Sequence, residues 1–261
     1  LTTIAISVAA AFLVTFFATP YFIRFFNRIG VFGTDFQKEK KPVIPLSGGI
    51  PVFIGFMIGV MTFVAINVFV DGKSNSLNLL PLFAAVLSTS IIALIGFFDD
   101  INVRTKRVAI GSGAIDYKIG LKQWQKPLLT LLAAIPLMAV NSGVSDVVLP
   151  ILGTINFGLF YPLLLVPIAV VCVSNATNML AGMNGLEAGM MAVASAGLTG
   201  YLLIHGEVAG AVISAIGCAS LLAFLFYNWS PARMFPGDSL TYFSGAMFVS
   251  AVIIGNAERF G

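Results

Sequence analysis

Two aspartates, Asp99 and Asp100, stand side by side at the end of an apolar run, Leu79–Phe98, that carries no charge of its own. Adjacent like charges against a greasy segment cost free energy unless a cation, a proton or a shared ligand compensates. A helix C-terminus is also a poor place for acids, because the macrodipole there favours positive charge. The pair therefore calls for a bound Mg²⁺ or a nearby lysine. Lys126, just ahead of Pro127 and the next apolar run, could balance those acids or hold a phosphate. A third group is made of amides: "VSNATNMLAGMNGLEAGM", Val173–Met190, holds Asn175, Asn178 and Asn184, and its single charge is Glu187. An amide can cap a helix end or lend an oxygen to a ligand without adding charge. Asn175 reads as structural and Asn178 as an oxygen ligand. Asp238, after Gly237 in "MFPGDSLTYFSG", is the only acid of its connection. It is either a helix N-cap or, with the amides, an oxygen ligand for a hard cation such as Mg²⁺. Lys38, Lys40 and Lys41 in the first connection are either phosphate-attracting groups or a solvated charge run.

These residues can meet only if the apolar runs between them return to one side. Of 261 residues, 58% are hydrophobic and 10% charged, against roughly 25% charged in soluble domains. The apolar residues fall in blocks, as lipid-exposed helices require. The expectation is an all-α polytopic bundle in one domain, 1–261, of about eight spans: Thr3–Phe26, Ile50–Val70, Leu79–Phe98, Pro127–Val140, Phe157–Val173, Gly189–Ile204, Val208–Phe226 and Leu240–Ile254. The fourth and last are short of the ~20 residues that cross upright.

Charge orients the bundle. With the N-terminus outside, Arg24–Ser47, Asp99–Lys126 and Tyr227–Ser239 hold five, six and one of the fourteen Lys and Arg, and the amide segment shares their side. The other side keeps Lys73 and Arg259 with Asp71, Asp146, Glu207 and Glu258. That is the positive-inside asymmetry, so the candidate residues all face the cytoplasm. A carrier or channel would place its polar groups near mid-membrane instead. A formal net charge of +3, spread as membrane anchors, indicates no nucleic-acid partner. Cys172 and Cys218 lie in different spans and read as two buried thiols, not a disulfide, and His205 reads as a surface residue of an outer turn.

Taken in order, "FGTDFQKEKKPVIPLSGG", "GFFDD" with Lys126, "NATNMLAGMNGLEAG" and "FPGDSLTYFSG" resemble the polyprenyl-phosphate N-acetylhexosamine-1-phosphate transferases. Asn-Gly-Leu-Glu favours the eukaryotic and archaeal branch that uses UDP-N-acetylglucosamine and dolichyl phosphate; bacterial relatives tend to carry an aspartate-glycine version. The resemblance implies Mg²⁺, with Mn²⁺ as a substitute, held by Asn178 and Asp238 with the donor pyrophosphate. It makes Asp99, Asp100 and Lys126 catalytic, and gives Lys41, Asn175, Asn184, Gly185, Leu186 and Glu187 to substrate binding. Its partners are a UDP-sugar, a polyprenyl phosphate lipid, membrane lipids and, for assembly, a second copy. Its setting is an archaeal plasma membrane or the endoplasmic reticulum membrane. The alternatives are another UDP-N-acetylhexosamine or undecaprenyl phosphate on the same fold and, more distantly, a transporter or structural subunit. The family continues beyond the point matching Gly261 through two further spans and a basic donor-binding loop, so eight spans of an expected ten are present.

Overall fold

The computed structural model describes residues 1–35, 38–70, 72, 78–101, 104–110, 113–149, 153–180 and 182–257. Asp71, Lys73, Glu258 and Arg259, four of the charges assigned to the far side, lie outside the described residues. The chain runs α1 (Thr2–Ile29), β1 (Phe32–Thr34), β2 (Val43–Pro45), α2 (Gly49–Ala65), α3 (Leu79–Ile101), β3 (Arg104–Ile110), β4 (Gly113–Ile119), α4 (Gln125–Leu132), α5 (Ile135–Ala139), β5 (Asp146–Leu149), β6 (Gly153–Asn156), α6 (Val166–Met179), α7 (Leu186–Ile204), α8 (Val208–Asn228) and α9 (Gly237–Ile254). Single π-helical turns at Ile66–Val70 and Tyr161–Leu165 extend α2 and precede α6.

Among the described residues, seven helical segments are long and apolar enough to cross a bilayer, so the protein is an all-α integral membrane bundle. The fourth expected span, Pro127–Val140, is broken. Pro136 has no N–H to give the carbonyl of Leu132, where α4 stops, and the short α5 begins on the other side of Ala133-Ala134. Pro20 removes the corresponding bond inside α1, yet the carbonyl it strands is not orphaned. The Tyr227 hydroxyl at the end of α8 donates to Phe16 O at 2.9 Å, as a bilayer interior demands of any freed backbone group.

α9 is the central helix, 78% of its span buried against 22% for α1. Neighbours approach it closely because they present glycine. A Cβ at Gly49 of α2 would run into the backbone of Ser239, and one at Gly96 of α3 into the carbonyl of Asp238. In lipid, where helix association relies on close packing, such small residues let backbones touch. These contacts also draw the α2, α3 and α9 ends together.

Three antiparallel hairpins were not expected. β1 pairs with β2, from Phe32↔Pro45 to Thr34↔Val43, in the first connection. The residue before a proline is pushed to extended backbone, and Ile44 precedes Pro45 there. β3 pairs with β4, Arg104↔Ile119 to Ile110↔Gly113, between α3 and α4. β5 pairs with β6 at the opposite end. The cysteines are unpaired as expected, but Cys172 is exposed on the bundle surface and Cys218 is half-buried. His205 is exposed and lies against Tyr201, ring centroids 4.6 Å apart.

Candidate active site

The first turn of α9 gathers the site. Asp100, buried at 5% exposure, accepts the backbone N–H of Asp238 at 2.7 Å, that of Ser239 at 3.2 Å and the Ser47 hydroxyl at 2.8 Å. It thereby satisfies N–H groups that the start of a helix leaves open. Gly48 and Gly49 donate their N–H groups to the carbonyls of Phe235 and Pro236 at 2.9 and 3.2 Å. The α2 start, the α3 end and the α9 start are thus one hydrogen-bonded knot. Asp238 is not the N-cap: α9 begins at Gly237 with no capping bond from its own flank. The capping reading of Asp238 is corrected, since that work falls to Asp100.

Freed from capping, the Asp238 carboxylate meets Lys126. The ammonium sits 2.6 Å from Asp238 Oδ2 and 2.7 Å from Asp99 Oδ2. The other Asp99 oxygen accepts the N–H of Leu121 at 2.6 Å, tying α3 to the approach of α4. Burial opposes the charge on Lys126, but hydrogen bonds to Asp238 and Asp99 outweigh it and raise its pKa above the usual lysine range. The adjacent acids therefore divide their roles: Asp100 turns into the protein and Asp99 faces the lysine.

The asparagines divide as well. Asn175 donates to the Val171 carbonyl at 2.8 Å and to the Thr130 hydroxyl at 3.1 Å, and accepts from the Tyr242 hydroxyl at 3.5 Å. It stitches α6 to α4 and α9. Asn178, one turn on, accepts the Thr241 hydroxyl at 2.8 Å. Asn184 donates to Asp35 at 3.3 Å, and Asp35 also pairs with Lys38 at 3.2 Å. Gly185 adopts a left-handed conformation (φ 80°) ahead of α7, and its N–H donates to Asn228 at 3.0 Å. Leu186 is the first residue of α7 and half-buried. Glu187, 4% exposed, accepts the Gly182 N–H at 2.9 Å through Oε1. Its Oε2 is buried without a hydrogen-bond partner among the described residues.

A cleft of about 430 Å³ runs from Asp238 and Thr241 past Phe235 and Glu187 to Asn184 and Asp35; Asp99, Lys126, Asn175 and Asn178 adjoin it through their partners and are not among its lining residues. Lys41 is not among its lining residues. It is exposed, its backbone N–H spent on the Lys38 carbonyl at 2.9 Å. Asp35 and Asn228 escaped the sequence reading. Asp35 sits in the quoted "FGTDFQ" run, but nothing local marks a lone acid as buried, and Asn228 looks like any polar residue at the end of a span.

The donor set fits a hard divalent cation. Asp238 offers a carboxylate and Asn178 an amide oxygen, both beside the first turn of α9. No cluster of three or more His, Cys, Asp or Glu suited to a metal occurs among the described residues. A cation here would take its other ligands from water and substrate phosphates, the habit of Mg²⁺.

The family model of Glycosyl transferase family 4 matches residues 82–256. A Saccharolobus solfataricus protein provisionally named UDP-N-acetylglucosamine–dolichyl-phosphate N-acetylglucosaminephosphotransferase is 34% identical over 255 residues, 97% of this chain and 71% of its own. The Dictyostelium discoideum protein of that name is 28% identical over 280 residues, 93% of this chain and 64% of its own. A phospho-N-acetylmuramoyl-pentapeptide-transferase of Bacillus cytotoxicus is 30% identical over 263 residues, 97% of this chain and 75% of its own.

Proposed function

Because the chain belongs to Glycosyl transferase family 4, we propose that it moves N-acetylglucosamine-1-phosphate from UDP-N-acetylglucosamine to dolichyl phosphate, the opening step of a lipid-linked glycan. The observation that carries this reading is the position of Lys126. On one side its partner Asp238 lines the polar cleft that ends at Asn184 and Asp35. On the other, its neighbours Trp124 and Pro127 open an apolar groove of about 550 Å³ that continues over Leu131, Leu163 and Ile168. A water-soluble nucleotide sugar suits the first and a polyprenyl chain the second, and their phosphates would meet at the ammonium.

In this mechanism a phosphate oxygen of the lipid attacks the β-phosphorus of the donor. The bond from that phosphorus to the bridging oxygen breaks, its electron pair leaves on UMP, and the sugar remains on a lipid diphosphate. A lipid phosphate is already largely anionic, its second pKa being about 6, so no covalent protein intermediate is required. Lys126 binds the phosphates and offsets their repulsion, Asp99 aims Lys126, and Asp100 positions the α9 start. Asn178 and Asp238 would hold Mg²⁺, or Mn²⁺ in its place, and a bound cation would polarise the phosphoryl oxygens. Asn184, oriented by Asp35, serves the uridine end, with Gly185, Leu186 and Glu187 shaping the turn that presents it.

We place the site on the cytoplasmic face, in an archaeal plasma membrane or the endoplasmic reticulum membrane, in one transferase domain that assembles as a homodimer. Intact protein in dolichyl-phosphate micelles should release UMP from UDP-N-acetylglucosamine when Mg²⁺ is present. Silence in that assay would reject the reading. The 30% identity to a muramoyl-pentapeptide transferase supports a second reading, a different UDP-sugar with undecaprenyl phosphate, and a panel of donors and acceptors separates the two.

A further inference from the structure

Away from the donor cleft, α1, β2 and the end of α8 enclose a second cleft of about 730 Å³. Its lining is apolar at Phe16, Pro20 and Ile23 and cationic at Arg24 and Arg233, and among the described residues no acid takes part. Both guanidinium groups are exposed, and among the described residues no carboxylate lies within ion-pair distance of either. Each is steadied by a single backbone carbonyl: Arg24 Nε donates to Pro20 O at 3.4 Å, and Arg233 donates to Phe226 O at 3.1 Å. Arg233 also lies over the Tyr227 ring, 4.7 Å from its centroid. A guanidinium has five N–H donors, so most of each fork remains available to an anion, and planar forks suit phosphate oxygens.

Depth along the helix identifies the anion's source. Arg24 precedes Gly30, the residue that caps α1, by six residues, about 9 Å at 1.5 Å per residue. Because α1 has 28 residues, more than the ~20 that cross the hydrocarbon core, Arg24 falls near the end of the crossing, where a long side chain reaches the headgroup layer. The exposed aromatics Phe17, Tyr21 and Phe25 flank it on the same helix. A soluble phosphate compound would have to enter past that apolar rim, whereas a lipid phosphate starts there with acyl chains to cover Phe16 and Ile23.

We propose that this cleft binds the headgroup phosphate of an anionic membrane phospholipid between Arg24 and Arg233. The lipid would be a resident ligand distinct from either substrate. Its position has a consequence for the donor cleft: the N–H groups of Arg233 and Met234 donate to Tyr227 O at 2.7 and 3.2 Å, and the next residue, Phe235, lines that cleft. A phosphate on Arg233 would hold this connection in place.

The test is native mass spectrometry of the intact protein, titrated with phosphatidylglycerol or phosphatidylcholine. The unmodified protein should retain phosphatidylglycerol preferentially, and its thermal midpoint should rise with that lipid. Arg24→Gln and Arg233→Gln should each weaken retention about fivefold, ~1 kcal/mol per basic residue near an anionic lipid surface. The double variant should lose the preference, while the paired Arg→Lys variant should keep most of it. Equal retention of the two lipids by the unmodified protein would overturn the proposal, whatever the variants do. So would an undiminished preference in a folded double Gln variant, which would mark ordinary annular lipid. Glycerol phosphate retained as tightly as the lipid would show that the cleft takes soluble anions instead.

Discussion

Asp100 accepts the backbone N–H of Asp238 at 2.7 Å, so the last turn of one transmembrane helix caps the first turn of another that follows 138 residues later. The carboxylate spends both oxygens on this task and on Ser47. Replacing it should be a structural injury first. Asp100→Asn keeps the shape but points an NH₂ at N–H or O–H donors, and hydrogen bonds to charged groups contribute about 1.5–3 kcal/mol each. Thermal unfolding in detergent should show a loss of about 2–4 kcal/mol, with turnover falling alongside. Ser47→Ala, which removes one of these bonds, should cost about 1.5 kcal/mol. An Asp100→Asn protein that is as stable as the unmodified one yet inactive would show that this acid works in the chemistry.

Asp238 should behave in the opposite way. Its side chain is 29% exposed and caps nothing, so Asp238→Asn should change stability by no more than about 1 kcal/mol. If it holds the cation, the loss is several kcal/mol of transition-state stabilisation, which is at least a hundredfold in rate by the usual ~1.4 kcal/mol per decade. UMP release measured beside a melting curve decides the matter, and near-normal turnover would remove Asp238 from the metal site.

Lys126 ties two carboxylates together at 2.6 and 2.7 Å. Lys126→Met leaves Asp99, 4% exposed, beside Asp238 with no cation between them. Breaking a buried pair in this way costs about 3–5 kcal/mol, and the variant should melt lower accordingly. Mg²⁺ should then stabilise it more than it stabilises the unmodified protein, because a divalent ion can take the place the ammonium vacates. An equal Mg²⁺ effect on both proteins would show that the carboxylates are not accessible to the metal.

Asn175 and Asn178 sit one turn apart on α6 but should separate in assays. Asn175→Ala breaks bonds to Val171 and Thr130 and should lower folded yield. Asn178→Ala should spare yield and raise the Mg²⁺ concentration needed for half-maximal turnover by about tenfold or more, ~1.4 kcal/mol of metal affinity. Thr241→Val, which removes the hydroxyl bonded to Asn178, should shift that same requirement in a smaller measure. Unchanged Mg²⁺ dependence in Asn178→Ala would free the asparagine of its ligand role.

The orientation of the bundle is open to direct labelling. Lys40 and His205 are both exposed, at opposite ends of the helices. Lys40→Cys, on the site side, should react only with reagents that reach the cytoplasm, and His205→Cys with impermeant reagents from outside. Labelling of Lys40→Cys from outside would invert the assignment.

Much of this protein is legible in the order of its residues. Apolar blocks of membrane length can satisfy their backbones in lipid only as helices, and the clustering of Lys and Arg in alternate connections brings the polar segments to one end. That is why Asp99, Lys126, Asn178 and Asp238 could be paired before any coordinates. What each does there is a matter of contact. Whether Asp99 or Asp100 faces the lysine depends on how α3 is rotated against α9, which glycines such as Gly96 set by backbone approach. Asp35, Asn228 and the Tyr227 hydroxyl on Phe16 were invisible because their partners lie far along the chain: Asn184, Gly185 and the carbonyl stranded by Pro20. The hairpins, too, arise from pairing between short strands whose local patterns are weak. Helical spans follow from hydration, which each segment carries within itself. The division of labour between neighbouring polar residues was decided only when packing chose which of them met a partner.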